Sequence, residues 1–554
     1  MCCAISQILL SQPSSYKRIP FSQPIHLPFD LAGCFGEPRT AHFHSGIDIK
    51  TDGTEGKPVF SIYDGYISRI KVSPYGYGKC IYIKHPNGLT SVYAHLSAFN
   101  RKIEKYIHEQ HYKNNQSELD VFFDSTIMPI RQDDTIAFSG NTGGSGGPHL
   151  HFEIRDSKSE HSINPLLFNY SYIDTIPPSI SSIKIYEIYD NYYNAASESI
   201  QLIKKDNTLT VSQPVEVSSN AKAIGIGVQG YDQQFNNENK NGIYRIIVKK
   251  GSINIFQYTL NEIDFDKTRM VSAFMDYKEQ QQNKKDEYQC FRLPNNTLSI
   301  YDTIVNNGFL ETPDTIEYIT IECYDFKLNK TTILIPISAA SKKTKSTVKS
   351  SLNFRKKNTL RDKGFSITFY ENTFYDDVSL NFKMDSSYTP PVYTMEENQY
   401  IPLNKACTVE LESKILGTEL KKNAVIVVKN HEDKETALTT NVKDKWAYAN
   451  TKDIGTFYLS FDTIKPFIEL LNYTAEGSKF TSNTIRVKIS DNLSGISEYN
   501  GFIDGHWVNF YYDAKNDMLE YKFDEYCPSG EHKLILLVTD KKQNQATLEQ
   551  YFKN

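Results

Sequence analysis

At 554 residues the chain exceeds what one hydrophobic core sustains, and at roughly 150 residues per domain it divides into about three to five. A net charge of −5 is near balance for this length, which argues against a nucleic-acid-binding surface as the main function. No apolar run approaches the roughly 18 residues that cross a bilayer as a helix. With 37 Tyr, 31 Phe and few Leu-rich helical runs, the composition favours a mainly all-β protein.

The first residues, Met1 to Gln12, resemble the tail of a signal peptide without its basic start, which predicts export to the periplasm or cell envelope. The competing reading of residues 1–25 is a short disordered leader. Adjacent Cys2 and Cys3 suggest lipidation, but the residues that precede a lipidated cysteine are absent. The eight cysteines are scattered, with no Cys-x-x-Cys pair, so a zinc ribbon or thioredoxin-like motif is unsupported and pairing stays open.

From Pro24 to about Asp174 short strands alternate with tight turns: Val59 to Ile62, Gly65 to Ile70 and Cys80 to Ile83 read as strands, and Asp64-Gly65 and Asn87-Gly88 as hairpin turns. One amphipathic helix is predicted within Ala98 to Lys113, with Phe99, Ile103, Tyr106 and Ile107 on one face.

The chemistry concentrates in Asn141 to Ile154, a Gly-rich turn running into an alternating strand. Side chains alternate along a strand, so His149 and His151 share one face while Leu150 and Phe152 anchor the other. Upstream, an extended segment would put His44 and Asp48 on one face, a mixed imidazole and carboxylate set that suits zinc. With one of the downstream histidines this makes three ligands and an open position, the pattern of catalytic rather than structural zinc. His95, in Tyr93-Ala94-His95-Leu96, has no carboxylate or Cys neighbour and suits a supporting or catalytic role better than ligation.

His44-Ser45-Gly46-Ile47-Asp48, Tyr93-Ala94-His95-Leu96 and Gly147-Pro148-His149-Leu150-His151 together resemble the three motifs of the lysostaphin/LytM-type zinc endopeptidases, over about residues 26–170. The resemblance implies an antiparallel β domain with a groove over one sheet and one zinc per chain, held by His44, Asp48 and His151. It further implies His149 as general base and proton donor to the leaving amine, His95 as oxyanion donor, and peptidoglycan peptides as substrate. His42, two residues from His44, is the nearby rival ligand but lies outside the His-x-x-x-Asp spacing. His26, His42, His85, His161, His431, His506 and His532 read as solvated surface residues, and so do His108 and His111, whose spacing is one residue short of a His-Glu-x-x-His zinc helix.

Past this region the chain repeats itself. Asp174-Thr175-Ile176 matches Asp462-Thr463-Ile464, Tyr231-Asp232 matches Ser490-Asp491, and Asp325-x-x-x-Asn329 matches Asp540-x-x-x-Asn544. These matches predict two copies of one β-sandwich, resembling the immunoglobulin-like modules of bacterial envelope enzymes. The domain plan is a leader at 1–25, a LytM-type peptidase domain with a helical insertion at 26–173 and an immunoglobulin-like module with an insertion at 174–337. A basic linker at 338–359, a β domain at 360–461 and a second immunoglobulin-like module at 462–554 complete it. The expected activity is zinc-dependent hydrolysis of peptidoglycan crosslinks, the C-terminal modules being a possible surface for an envelope protein partner. The alternative is a catalytically silent wall-binding scaffold or activator of another hydrolase.

Overall fold

The alternating apolar residues of the N-terminal region assemble a ten-stranded sheet whose main path runs Leu31–Gly33, Ile47–Lys50, His149–Asp156, Leu89–Ala94, Lys79–Lys84, Gly65–Val72 and Leu119–Phe122. All neighbours along this path are antiparallel. The computed structural model describes residues 16–234, 238–340, 352–396, 400–413, 421–476 and 478–554. Strand is the dominant state, at 47% against 8% helix, as the Tyr- and Phe-rich composition leads one to expect.

Asn87 and Gly88 turn one hairpin of the sheet, with Gly88 at φ +82°. Asp64-Gly65 does not, because Pro58–Phe60 leaves for a separate sheet with Thr135–Phe138. The predicted helix is Arg101–Asn114, its first turn capped where the Asn100 side chain accepts from the Ile103 N–H at 2.9 Å. Ile103 and Ile107 are buried as expected, and so is His111, which donates from Nδ1 to the Gln116 carbonyl rather than facing solvent. His85 and His532 are likewise buried, not surface residues.

The segment expected to be a leader is structural from its first described residue. Tyr16 and Phe21 pack their rings on Phe168 at 4.9 and 5.2 Å, and Ile25 is in the core. Residues 1–15, including Cys2 and Cys3, lie outside the described residues. The six described cysteines are all free thiols.

Beyond residue 174, residues 179–340 form a four-stranded and an eight-stranded sheet, and residues 467–553 two four-stranded sheets with a small hairpin. Between them, residues 358–461 build two five-stranded sheets with a core of their own. The apolar core does not break at residue 174, however: one continuous cluster runs from Ile25 to Ile337. Phe43 packs against Phe274, the Phe43 N–H donates to the Thr268 carbonyl, and Glu262–Ile263 adds a strand to Ser162–Ile163 of the first sheet. The linker expected over 338–359 is shorter than its composition suggests. Ser338 to Ala340 continue the strand Lys330–Ala340, Leu352 and Phe354 are buried, and residues 341–351 are outside the described set.

The C-terminal module grips the helix. Tyr112 stacks on Tyr526 at 4.2 Å, meets Trp507 edge-on and donates its hydroxyl to Asp524, while His108 pairs with Glu525 at 3.1 Å.

Close backbone approach requires glycine at Gly46, as it does at Gly65 in the same sheet. A Cβ on Gly46 would stand 2.3 Å from the Phe152 carbonyl oxygen, so only glycine lets the two strands meet there. Gly46→Ala is expected to cost about 1–3 kcal/mol, as other overpacked sites do, and to lower the first thermal unfolding transition. Calorimetry showing an unchanged transition would mean that the strands separate freely.

Candidate metal centre

The register of three strands brings the sequence-predicted residues together. His151 faces Asp48 on one side and Ala94 on the other, so His95, the next residue, comes to the same end of the sheet. His44 precedes the strand Ile47–Lys50 rather than lying on it, and the bend at Gly46 returns its ring towards Asp48.

Three donor atoms converge. His44 Nε2 lies 3.0 Å from Asp48 Oδ1 and 3.0 Å from His151 Nδ1, and His151 Nδ1 lies 2.8 Å from Asp48 Oδ1. All three residues are buried, and they form one of the groups able to hold a metal ion. Two imidazole nitrogens and one carboxylate oxygen aimed at one point fit a cation, because no more than one lone-pair donor can be satisfied by a proton from another. Zinc bonds of about 2.0–2.2 Å to nitrogen and oxygen call for donors spaced on the order of 3 Å, as these are. His42 is exposed and takes no part.

Partners outside the triad fix each ring. His44 Nδ1 donates to the Cys34 carbonyl at 2.7 Å, leaving Nε2 as the free lone pair. His151 is held from behind by Glu153 Oε1, 2.8 Å from Nε2, and Glu153 is in turn bound by Arg155 and the Tyr77 hydroxyl. Asp48 Oδ2 accepts from Arg39 Nη2 at 2.5 Å, which leaves Oδ1 for the triad.

The electrostatics follow from this burial. Burial pushes His44 down to about 4, Asp48 only partly compensating. For His151 burial opposes protonation, but hydrogen bonds to Asp48 and Glu153 outweigh it and raise it to about 9. Burial also opposes ionisation of Asp48, yet the neighbouring histidines hold its carboxyl well below the usual range. Without a metal these shifts pair a protonated His151 with an ionised Asp48, so the triad is close to neutral by itself.

His95 and His149 stand beside the triad, their ring centroids 4.9 Å apart. His95 Nδ1 donates to the Thr142 carbonyl and His149 Nδ1 to the Gly147 carbonyl, each at 2.8 Å, so both Nε2 atoms carry lone pairs in the neutral rings. Burial, followed by the repulsion of His151 and His149, holds His95 down at about 3. Its backbone is left-handed at φ +58°, a conformation uncommon outside glycine and frequent where a side chain must be aimed. Both rings line a cavity of about 310 Å³ with Ala32, Arg39, Asp48 and residues 144–148.

Sequence reasoning overlooked Glu153 and Arg39. Glu153 was findable: it is two residues past His151 on the same strand face, and an acid inside a buried β run needs a partner. Nothing local marks Arg39.

Comparison with known proteins agrees with this geometry. Residues 42–117 match the family model described as Peptidase family M23, and residues 349–462 match a Zu5-like domain. The chain is 35% identical over 146 residues to the DD-carboxypeptidase/endopeptidase Mpg of Neisseria meningitidis serogroup B, a stretch that covers 26% of this chain and 26% of Mpg. It is 28% identical over 126 residues to the cell division protein DipM of Caulobacter vibrioides, covering 23% of this chain and 17% of DipM. Among solved structures, the catalytic domain of lysostaphin from Staphylococcus simulans is 25% identical, with 24% of this chain and 87% of that domain covered at a TM-score of 0.19. This chain thus spans about a quarter or less of the length of the relatives it matches. Its N-terminal region is a LytM-type domain of peptidase family M23.

Proposed function

We propose that this protein is an exported zinc-dependent endopeptidase that hydrolyses peptide crosslinks of bacterial peptidoglycan. The observation that carries the reading is the convergence of His44 Nε2, Asp48 Oδ1 and His151 Nδ1 within 3.0 Å of one another, with two further histidines beside them. His44, Asp48 and His151 would hold the zinc, whose part is to act as a Lewis acid and bring water deprotonation near neutral pH.

The chain's own residues supply the proton transfers. His149 Nε2 lies 3.3 Å from Asp48 Oδ1, beside the triad, and its Nδ1–H is already committed to Gly147. It is suited to take a proton from the attacking water and, as imidazolium, to return it to the leaving amine. His95 meets a stricter condition. Because its Nδ1–H serves Thr142, it donates from Nε2 only after taking up a proton there from solvent, a step that negative charge developing on the scissile carbonyl favours. Glu153 orients His151 and raises its basicity, as a carboxylate behind a ligating histidine does.

The scaffold alternative has no observation in its favour, since all five motif residues are present: Asp48, His95 and His149 line one cavity, and His44 and His151 meet Asp48 behind it. Export rests on the likeness of Met1 to Gln12 to the tail of a signal peptide; separately, among the described residues no helix is long and apolar enough to cross a membrane.

Three outcomes test the reading. Asp48→Ala is expected to abolish stoichiometric zinc on metal analysis, because two ligands do not retain a catalytic metal; zinc at wild-type levels would refute the ligand assignment. His95→Ala and His149→Ala are expected to keep zinc while losing about a hundredfold to a thousandfold in release of peptides from purified peptidoglycan, followed by mass spectrometry. Either variant losing metal as Asp48→Ala does would move that histidine into the ligand set. Glu153→Gln is expected to weaken zinc binding about tenfold to a hundredfold in a chelator competition, whereas unchanged affinity would reduce Glu153 to a packing role.

A further inference from the structure

The duplicated modules hold a second kind of site. Asp174, Asp232 and Asp325 come from three separate stretches, the exit from the peptidase domain, the end of the strand Ala223–Tyr231 and the turn after Glu317–Tyr324. They bring one carboxylate oxygen each within 4.8 Å of one another, and all three are buried. None of them makes an ion pair with a described residue. Lys327, two residues past Asp325, turns its ammonium over the Tyr172 ring, 5.7 Å from the centroid.

All three carboxylates accept at least one hydrogen bond, Asp232 from the Gln233 N–H. Asp174 accepts from the Tyr172 hydroxyl and the Ile176 N–H, and Asp325 from the Asn329 N–H and side-chain amide. Asp232, only 4% exposed, keeps Oδ1 without any partner. An independent residue repeats this. Asn241, 3% exposed, leaves both side-chain atoms unpartnered. Asp232 and Asn241 exchange both backbone hydrogen bonds at 2.8 Å in an antiparallel bridge, which puts their side chains on the same face. A buried amide with neither end satisfied, set beside a buried carboxylate with a free oxygen, is costly unless something absent from the protein itself fills the gap. Burial, then Asp325 and Asp174, pushes Asp232 up to about 8, the mark of a site short of positive charge.

We infer that Asp174, Asp232, Asp325 and Asn241 bind a calcium ion at the junction of the peptidase domain and the module that follows it. The donors are all hard oxygens from carboxylates and an amide, the set that calcium takes and zinc does not prefer. The ion would tie the chain leaving the peptidase domain at Asp174 to two strand ends of the next module. The site is independent of the zinc reading, since it shares no residue with the triad.

The C-terminal module repeats the three carboxylates as Asp462, Asp491 and Asp540. There the Ser494 N–H serves Asp462, and the Leu493 and Gly495 N–H groups serve Asp491. Asp491 Oδ1 and Ser494 Oγ are without a partner there as well, but Asp491 is only half-buried, whereas Asp232 and Asn241 are 4% and 3% exposed.

The test is calcium titration of the full-length protein by calorimetry, after chelator dialysis and restoration of zinc, with thermal unfolding in parallel. Wild type is expected to bind calcium and to gain several degrees in Tm. Asp232→Asn is expected to bind one ion fewer per chain, with a metal-free Tm equal to or above wild type because the amide is neutral without having to protonate a buried carboxylate. Asn241→Ala is expected to weaken binding at the same site while the metal-free Tm stays close to wild type, so the inference is tested even should Asp232→Asn fail to fold. Absence of wild-type binding up to about 10 mM, tenfold above the weakest extracellular calcium modules, would overturn it and make Asp232 a protonated buried acid. So would an undiminished ion count in both variants.

Discussion

One pairing register determines everything at the metal centre: His151 opposite Asp48 in one neighbouring strand and opposite Ala94 in the other. Side chains alternate along a strand, so a slip of one residue would send His149 and His151 into the core and Leu150 and Phe152 to the groove. Leu150, Phe152 and Ile154 are wholly buried, and removing such side chains from water stabilises each by about 1.5–3 kcal/mol. The apolar face therefore enforces the geometry of the polar one. Glu153 and Arg155 complete it: a buried carboxylate is tolerable only when paired, and Glu153 binds both the guanidinium and the ring of His151.

The edge of this sheet is held by the module that follows it. Leu31–Gly33 is a three-residue strand beside the one that carries Asp48, and such an edge is weak by itself. The Gln234 side chain accepts from the Leu31 N–H at 3.0 Å and donates to the Phe29 carbonyl at 2.9 Å, standing in for the missing neighbour strand. Nearby, Leu260 covers Gly36, where a Cβ would come within 2.9 Å of it. The ligand strand thus owes part of its support to residues some two hundred positions away, and the shared core from Ile25 to Ile337 has the same origin.

What was legible in the sequence was local. Alternation in His149 to Ile154, the Asn87-Gly88 turn and the apolar stripe of the helix are properties of neighbouring residues, and each is present. So is the repeat: the positions matched as Asp174 with Asp462, Asp232 with Asp491 and Asp325 with Asp540 form two equivalent clusters. What was not legible depends on distant partners. Tyr16 and Phe21 look like leader residues until Phe168 arrives to cover them, and His111 looks solvated until its helix is laid on the sheet. Arg39 has no periodic neighbour at all, and its place beside Asp48 comes from the bend of residues 37–46.

The same long-range logic decides how the C-terminal module relates to the groove. Lys515 sends its ammonium to the Asn141 and Ser145 carbonyls, at either end of the first half of the Gly-rich loop, and Lys79 lies over the Tyr511 ring at 5.5 Å. A loop containing Gly143, Gly144, Gly146 and Gly147 loses much conformational entropy when ordered, and external hydrogen bonds to its carbonyls reduce the number of states it samples. Its last residues lead directly into His149, so order in the loop becomes order in that ring. The cavity beside His95 and His149 is nevertheless lined by residues between Ala32 and His149, and none of its lining residues belongs to the module. The module therefore braces the loop that leads into His149 through Lys515, and the helix through Tyr526 and Trp507.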